Sequence, residues 1–129
     1  MVGRYDPGWV PAGLLSATTA ALARFVHGLF SGHLLGEDLL DEMVSLRPVE
    51  SVPGRPFVHP GYGLGLMGDR DGPHGRMLGQ TGEGPGGTVA MYHFVDVEPP
   101  LSVAVASVRE DVTATETTLL RATEALVAG

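Results

Sequence analysis

Leu22, Phe25, Val26, Leu29 and Phe30 recur at i, i+3, i+4, i+7 and i+8. That spacing places them on one face of an amphipathic helix. Ser16 or Thr18 is positioned to cap its start, and Gly32 to end it. Before it, residues 1–13 are rich in glycine and proline and hold Trp9, which predicts a loop. A shorter helix is predicted from Glu37-Asp38, acids suited to the positive end of the helix dipole. Leu39, Leu40, Met43 and Val44 supply its apolar face. Residues 47–61, with Pro48, Pro53, Pro56 and Pro60, read as a loop.

The period then changes. Tyr62 to Gly68 reads as a strand and Asp69-Arg70-Asp71-Gly72-Pro73 as a solvated turn. Gly75 to Thr81 returns, so 62–81 is expected to be a hairpin. Thr88 to Val95 is strand-favouring, and Val97-Glu98-Pro99-Pro100 turns the chain. Leu101 to Val108 is apolar on both faces, the mark of a central strand covered twice. Asp111 or Thr113 caps a last helix, with Thr113 and Glu116 at capping-box spacing and Leu119, Leu120, Leu126 and Val127 facing inward. The expected fold class is α+β, an antiparallel β-sheet meander flanked by helices with two unpaired edges.

With 129 residues the chain suits a single domain and a modest core. Its net charge of -7 and lack of a basic stripe argue against a nucleic-acid partner. No apolar run reaches membrane-spanning length. Met1-Val2-Gly3-Arg4 does not begin a signal peptide, so the location is cytoplasmic if Met1 is the true start and exported if a leader has been lost. With no cysteine, thiolate chemistry is excluded, and all eight basic residues are arginine. Lysine and asparagine are absent, so no lysine base or asparagine carboxamide can act from within this chain.

Gly63-Leu64-Gly65-Leu66-Met67-Gly68 matches the dinucleotide pattern GxGxxG, but a proline-rich loop precedes it and a turn cluster follows. Without strand before and helix after, close packing accounts better for these glycines. Asp69 to Gly72 resembles the start of a calcium loop but lacks the remaining oxygen ligands. His27, His33, His59, His74 and His93 form no HxxxH or HExxH pair, so neither a metal nor a cofactor is implied. No serine occupies a Gly-x-Ser-x-Gly elbow. The remaining candidate is the glycine-lined stretch Gly79-Gln80-Thr81-Gly82-Glu83-Gly84-Pro85-Gly86, either a tight corner or one wall of a site.

These pieces, in this order, resemble the C-terminal part of serine β-lactamase-like and penicillin-binding-protein-like hydrolases. The resemblance is to the class C β-lactamase, D-Ala-D-Ala carboxypeptidase and esterase branch. Ala12-Gly13-Leu14-Leu15-Ser16 is similar to that family's lead into a helix, and Ala21-Leu22-Ala23-Arg24-Phe25 to its Asp-Leu-Ala-Arg-Phe. Ser31-Gly32-His33-Leu34-Leu35, with Leu39, Glu42 and Met43, follows its next helix. Tyr62-Gly63-Leu64-Gly65 matches its strand opening, and Gly79-Gln80-Thr81-Gly82 with Pro85-Gly86 its Gly-His-Thr-Gly-x-x-Pro-Gly.

The resemblance implies the C-terminal portion of a β-lactamase/transpeptidase-like domain. It also implies acyl-enzyme hydrolysis of a β-lactam, D-Ala peptide or ester. Gln80, Thr81, Gly82 and Glu83 would be the substrate-binding residues, with the Glu83 N–H an oxyanion donor. The family's Ser-x-x-Lys and Tyr-x-Asn lie N-terminal to the part seen here, so this chain carries no catalytic residue and is expected to be inactive alone. Gln80 stands where the family has a basic residue or histidine. A neutral amide brings no positive charge, which leans toward a neutral ester or amide substrate. Expected partners are a small-molecule or peptide substrate, and either the missing N-terminal part or a second copy of the chain. Two other readings stand beside this one: a non-catalytic binding module derived from that fold, and a stand-alone α+β domain.

Overall fold

The computed structural model describes residues 15–129. The loop expected at residues 1–13, with Trp9 and Ala12 to Leu14, lies outside them. The described chain is α+β, with helices α1 (Thr19–Phe30), α2 (Glu37–Met43) and α3 (Val112–Ala128). Its strands are β1 (Arg47–Pro48), β2 (Pro60–Tyr62), β3 (Met67–Gly72), β4 (Gly75–Gly84), β5 (Gly87–Phe94) and β6 (Leu101–Ser107). The six strands form one antiparallel sheet in the order β1-β2-β3-β4-β5-β6, the expected meander.

Alternation along the strands sorts side chains onto two faces. Met77, Ala90, Tyr92, Phe94 and Val103 share the face that packs with Phe57 and Leu119 of α3 into the core. His93, Ser102 and Leu78 point to the other face, where α1 lies against β5 and β6. Thr18 caps α1 by accepting from the Ala21 N–H at 3.1 Å. Gly32, at φ +79, then turns the chain away from the helix.

Several expectations are corrected. The 47–61 segment contains two short strand pieces, because Arg47–Pro48 pairs with Gly61 and Tyr62. The strand expected at Tyr62 to Gly68 is split in two, since Gly63 to Leu66 make the β2–β3 turn, Gly63 N–H donating to Leu66 O at 2.8 Å. Gly63 and Gly68 are packing glycines, since a Cβ on Gly63 would strike the Met43 carbonyl and one on Gly68 the Met77 carbonyl, whereas Gly65 is there for its φ of +69 in the turn. Asp69 to Gly72 is strand, not a solvated turn. Asp69 is buried and accepts from Val58 N at 2.6 Å and His59 N at 2.9 Å, anchoring the preceding loop.

Leu101 to Ser107 is covered by α1 and α3 but is an edge strand among the described residues, not a central one. Double coverage makes an edge strand apolar on both faces just as it does a central one. Asp111 caps α3 by accepting from the Ala114 N–H at 2.9 Å, so Thr113 is not the cap and Glu116 is free to point into the core. Leu119 is buried, whereas Leu126 and Val127 at the helix end are exposed, as is Phe25 on α1.

Candidate functional site

The pairing of β4 defines an open backbone edge. Val95 N–H donates to Arg76 O at 3.0 Å, and the register of β4 with β5 continues through Leu78↔His93, Gln80↔Met91, Gly82↔Val89 and Gly84↔Gly87. Hydrogen-bonded pairs alternate in an antiparallel ladder, so the even-numbered residues of β4 bond to β5. The odd-numbered ones direct N–H and C=O the other way, toward β3. But β3 begins at Met67, opposite Gly79. Among the described residues no strand faces that side from Gln80 to Gly84, so the Thr81 and Glu83 carbonyls and the Glu83 N–H are directed to an open edge.

The glycines of this stretch do different jobs. A Cβ on Gly79 would run into the Met91 carbonyl oxygen and the Tyr92 backbone, so the sheet itself requires glycine there. A Cβ on Gly82 would meet only Val89 Cγ1, at an ordinary 3.4 Å. Packing alone does not require glycine at Gly82. Pro85 and Gly86, at φ +96, make the tight turn to β5.

Gln80 and Thr81 point to opposite faces. The Gln80 side chain bends over the β3 side of the strand, where its Nε2 donates to Tyr62 OH at 3.4 Å and its Oε1 accepts from the Thr81 N–H at 3.2 Å. On the α3 face, Thr81 Oγ1 donates to Glu116 Oε1 at 2.7 Å and lies 2.8 Å from Tyr92 OH. Glu116 is buried and forms an ion pair with Arg55, whose Nε donates to Oε2 at 2.9 Å and whose Nη2 donates to Oε1. The Arg55 guanidinium also lies 5.0 Å from the centre of the Phe57 ring. Hydrogen bonding to Glu116 raises the pKa of Arg55 against the opposing effect of burial. Burial raises that of Tyr92 well above an ordinary phenol, so the phenol keeps its proton.

Gly82 and Glu83 are exposed, whereas Gln80 and Thr81 are half-buried. A cavity of about 200 Å³ is lined by Arg55, Phe57, Tyr62 and Met67 among others. The larger groove of about 850 Å³ lies between α2 and β1 and meets this region only at Tyr62. Chemistry rather than size singles out the β4 edge, where backbone donors, an amide and a buried ion pair meet.

Sequence reasoning brought Gln80 to Glu83 forward but missed Tyr62, Tyr92, Arg55 and Glu116. Glu116 carried a signal, its spacing from Thr113, but it pointed to a helix cap. Arg55 sits in a proline-rich loop with no periodicity to place it. The structure also unites three residues with no shared sequence pattern. His93 Nδ1 lies 2.8 Å from Ser102 Oγ, which lies 3.3 Å from His27 Nδ1. Phe30 stacks on the His93 ring, and burial, then the nearby His27, lowers the His93 pKa to about 4. Among the described residues no group of three or more histidine, aspartate or glutamate side chains is placed to hold a metal ion.

The antiparallel meander between helices matches the penicillin-binding/β-lactamase fold. A solved structure with that fold, a D-stereospecific amidohydrolase from Streptomyces sp., superposes with a TM-score of 0.70 at 26% sequence identity. The match covers 91% of this chain and 33% of that one, so the chain spans about a third of the amidohydrolase's length. No family model matches the chain, and neither does any curated protein.

Proposed function

We propose that this chain is the substrate-binding portion of a serine hydrolase of the penicillin-binding/β-lactamase fold, acting by acyl-enzyme hydrolysis of a β-lactam, D-Ala peptide or ester. The observation that carries this reading is the open edge of β4 at Gln80 to Gly84. There the Glu83 N–H is free to stabilise a developing oxyanion. The similarity to an amidohydrolase over 91% of the chain supports the same class of chemistry. The nucleophilic serine and its base belong to a preceding segment, and residues 1–129 are the C-terminal portion of the larger domain. The chain alone is therefore inactive, since loss of the nucleophile removes orders of magnitude in rate even where oxyanion donors remain.

A fluorophosphonate or penicillin probe tests this directly. Incubation should leave the intact mass of the chain unchanged. Covalent labelling of any serine here would overturn the assignment of the nucleophile to another segment. The competing reading, a binding module that has lost its chemistry, is separated by the coding sequence upstream of Met1: Ser-x-x-Lys there supports the hydrolase, and its absence supports the module.

A further inference from the structure

The inference rests on reading Gln80 to Gly84 as a substrate edge, and it narrows the substrate. A hydroxyl has one proton to give. Thr81 Oγ1 gives its proton to Glu116 Oε1, so the neighbouring Tyr92 OH must be the donor to Thr81. The donor chain runs Tyr92 to Thr81 to Glu116 and ends on a carboxylate. Thr81 keeps no proton for a ligand. Arg55 is turned away as well, with its Nε and Nη2 both on Glu116.

The edge from Gln80 to Gly84 itself carries no cation. Gln80 is neutral, Glu83 is exposed and acidic, and the Glu110 carboxylate accepts from the Gly86 N–H at 2.8 Å. The open edge also offers the outward carbonyls of Thr81 and Glu83 beside the Glu83 N–H, while the Thr81 N–H is held by Gln80 Oε1. An amide can satisfy both kinds of group, as an added strand does. A carboxylate can only accept, and it would face those carbonyls and the acidic side chains without compensation.

We propose that the β4 edge selects substrates presenting an uncharged amide or ester at this subsite and rejects free carboxylates, with Glu116 the specificity-determining residue. Glu116 acts by holding the Thr81 proton and occupying Arg55.

The experiment titrates N-acetyl-D-alanyl-D-alanine and its C-terminal carboxamide separately into the 15N-labelled chain. The readout is the amide shifts of Thr81 and Glu83. The carboxamide should move both, and the free acid should bind about tenfold more weakly. In Glu116→Gln the new amide oxygen still accepts from Thr81 while Arg55 loses its counter-charge. The free acid should then bind about tenfold more tightly, with the carboxamide unchanged. A merely structural role for Glu116 would weaken both ligands together. If Glu116→Gln does not fold, Arg55→Met/Glu116→Met removes both charges and frees the Thr81 proton, and it too should narrow the preference. Equal or tighter binding of the free acid by the unaltered chain overturns the inference, as does an unchanged preference in a folded variant. If neither ligand moves the Thr81 and Glu83 amides, the substrate-edge reading itself falls.

Discussion

Thr81 on β4 donates its hydroxyl proton to Glu116 on α3 at 2.7 Å, across a separation of 35 residues. The contact ties the candidate substrate strand to the C-terminal helix. Arg55 closes the network from a third part of the chain, the loop before β2. Perturbing one member is thus expected to be felt at the β4 edge.

Arg55→Ala should strip the buried Glu116 of its counter-charge and cost about 3 kcal/mol, the scale for breaking one side of a buried pair. Arg55→Met/Glu116→Met should lie much closer to the unaltered protein, because no uncompensated charge remains. Urea unfolding of the two variants checks the contrast. Equal losses would mean that the pair's packing, and not its charge balance, matters.

Gly79→Ala and Gly82→Ala should behave differently despite being three positions apart on one strand. At Gly79 the added methyl meets the Met91 carbonyl, and the expected loss is about 2–3 kcal/mol. At Gly82 it meets only Val89 Cγ1 at 3.4 Å, so stability should change by less than about 0.5 kcal/mol. Thermal melts distinguish the two, and a strongly destabilised Gly82→Ala would contradict the packing described.

His93 sets an acid limit. Its folded pKa is depressed from 6.5 to about 4, chiefly by burial, so the folded state favours the neutral ring. The group contributes its full stability above pH 6.5 and loses it as pH falls from there toward about 4. Each pKa unit corresponds to about 1.4 kcal/mol. The urea midpoint should therefore drop between pH 7 and pH 4.5, and His93→Phe should remove part of that slope. An identical slope in the variant would assign the acid sensitivity to other groups.

The outer side of β6 should promote self-association. Its odd-numbered residues bond to β5, which leaves the N–H groups of Ser102, Ala104 and Ala106 directed outward. No proline or charge interrupts Leu101–Ser107 to guard the edge. The chain should scatter light as more than a monomer at micromolar concentration. Ala104→Pro, which removes an outward donor and spares the β5 ladder, should shift it to monomer. A sharp monomer peak for the unaltered chain would argue against this.

The helices were legible because their patterns are local. The Leu22 to Phe30 stripe placed α1 correctly, and of the two caps offered, Ser16 and Thr18, the structure uses Thr18, although Phe25 remains exposed at one margin of the stripe. The β4–β5 hairpin was legible only in part: the glycine-lined stretch signalled a turn, but β4 runs on past Thr81 to Gly84 and only Pro85 and Gly86 make the turn. The region around β1 to β3 was misread because its strands are short and glycine- or proline-bearing, and only pairing with neighbours makes them strands. Asp69 read as solvent-facing because a buried carboxylate served by backbone N–H groups looks, in one dimension, like any turn aspartate.

By itself the sequence determined the class of fold and the meander, narrowed the caps of α1 and α3 to two candidates each, and nominated the stretch from Gln80 to Glu83 as a candidate. Periodicity, capping chemistry and turn chemistry act over a few residues and leave their mark in the chain. Only the tertiary structure decided where β3 stops and leaves β4 open, and that Thr81, Tyr92, Arg55 and Glu116 share one network. Register and buried hydrogen bonds join residues far apart in sequence. Their energies depend on what surrounds them after folding, and no local pattern encodes that.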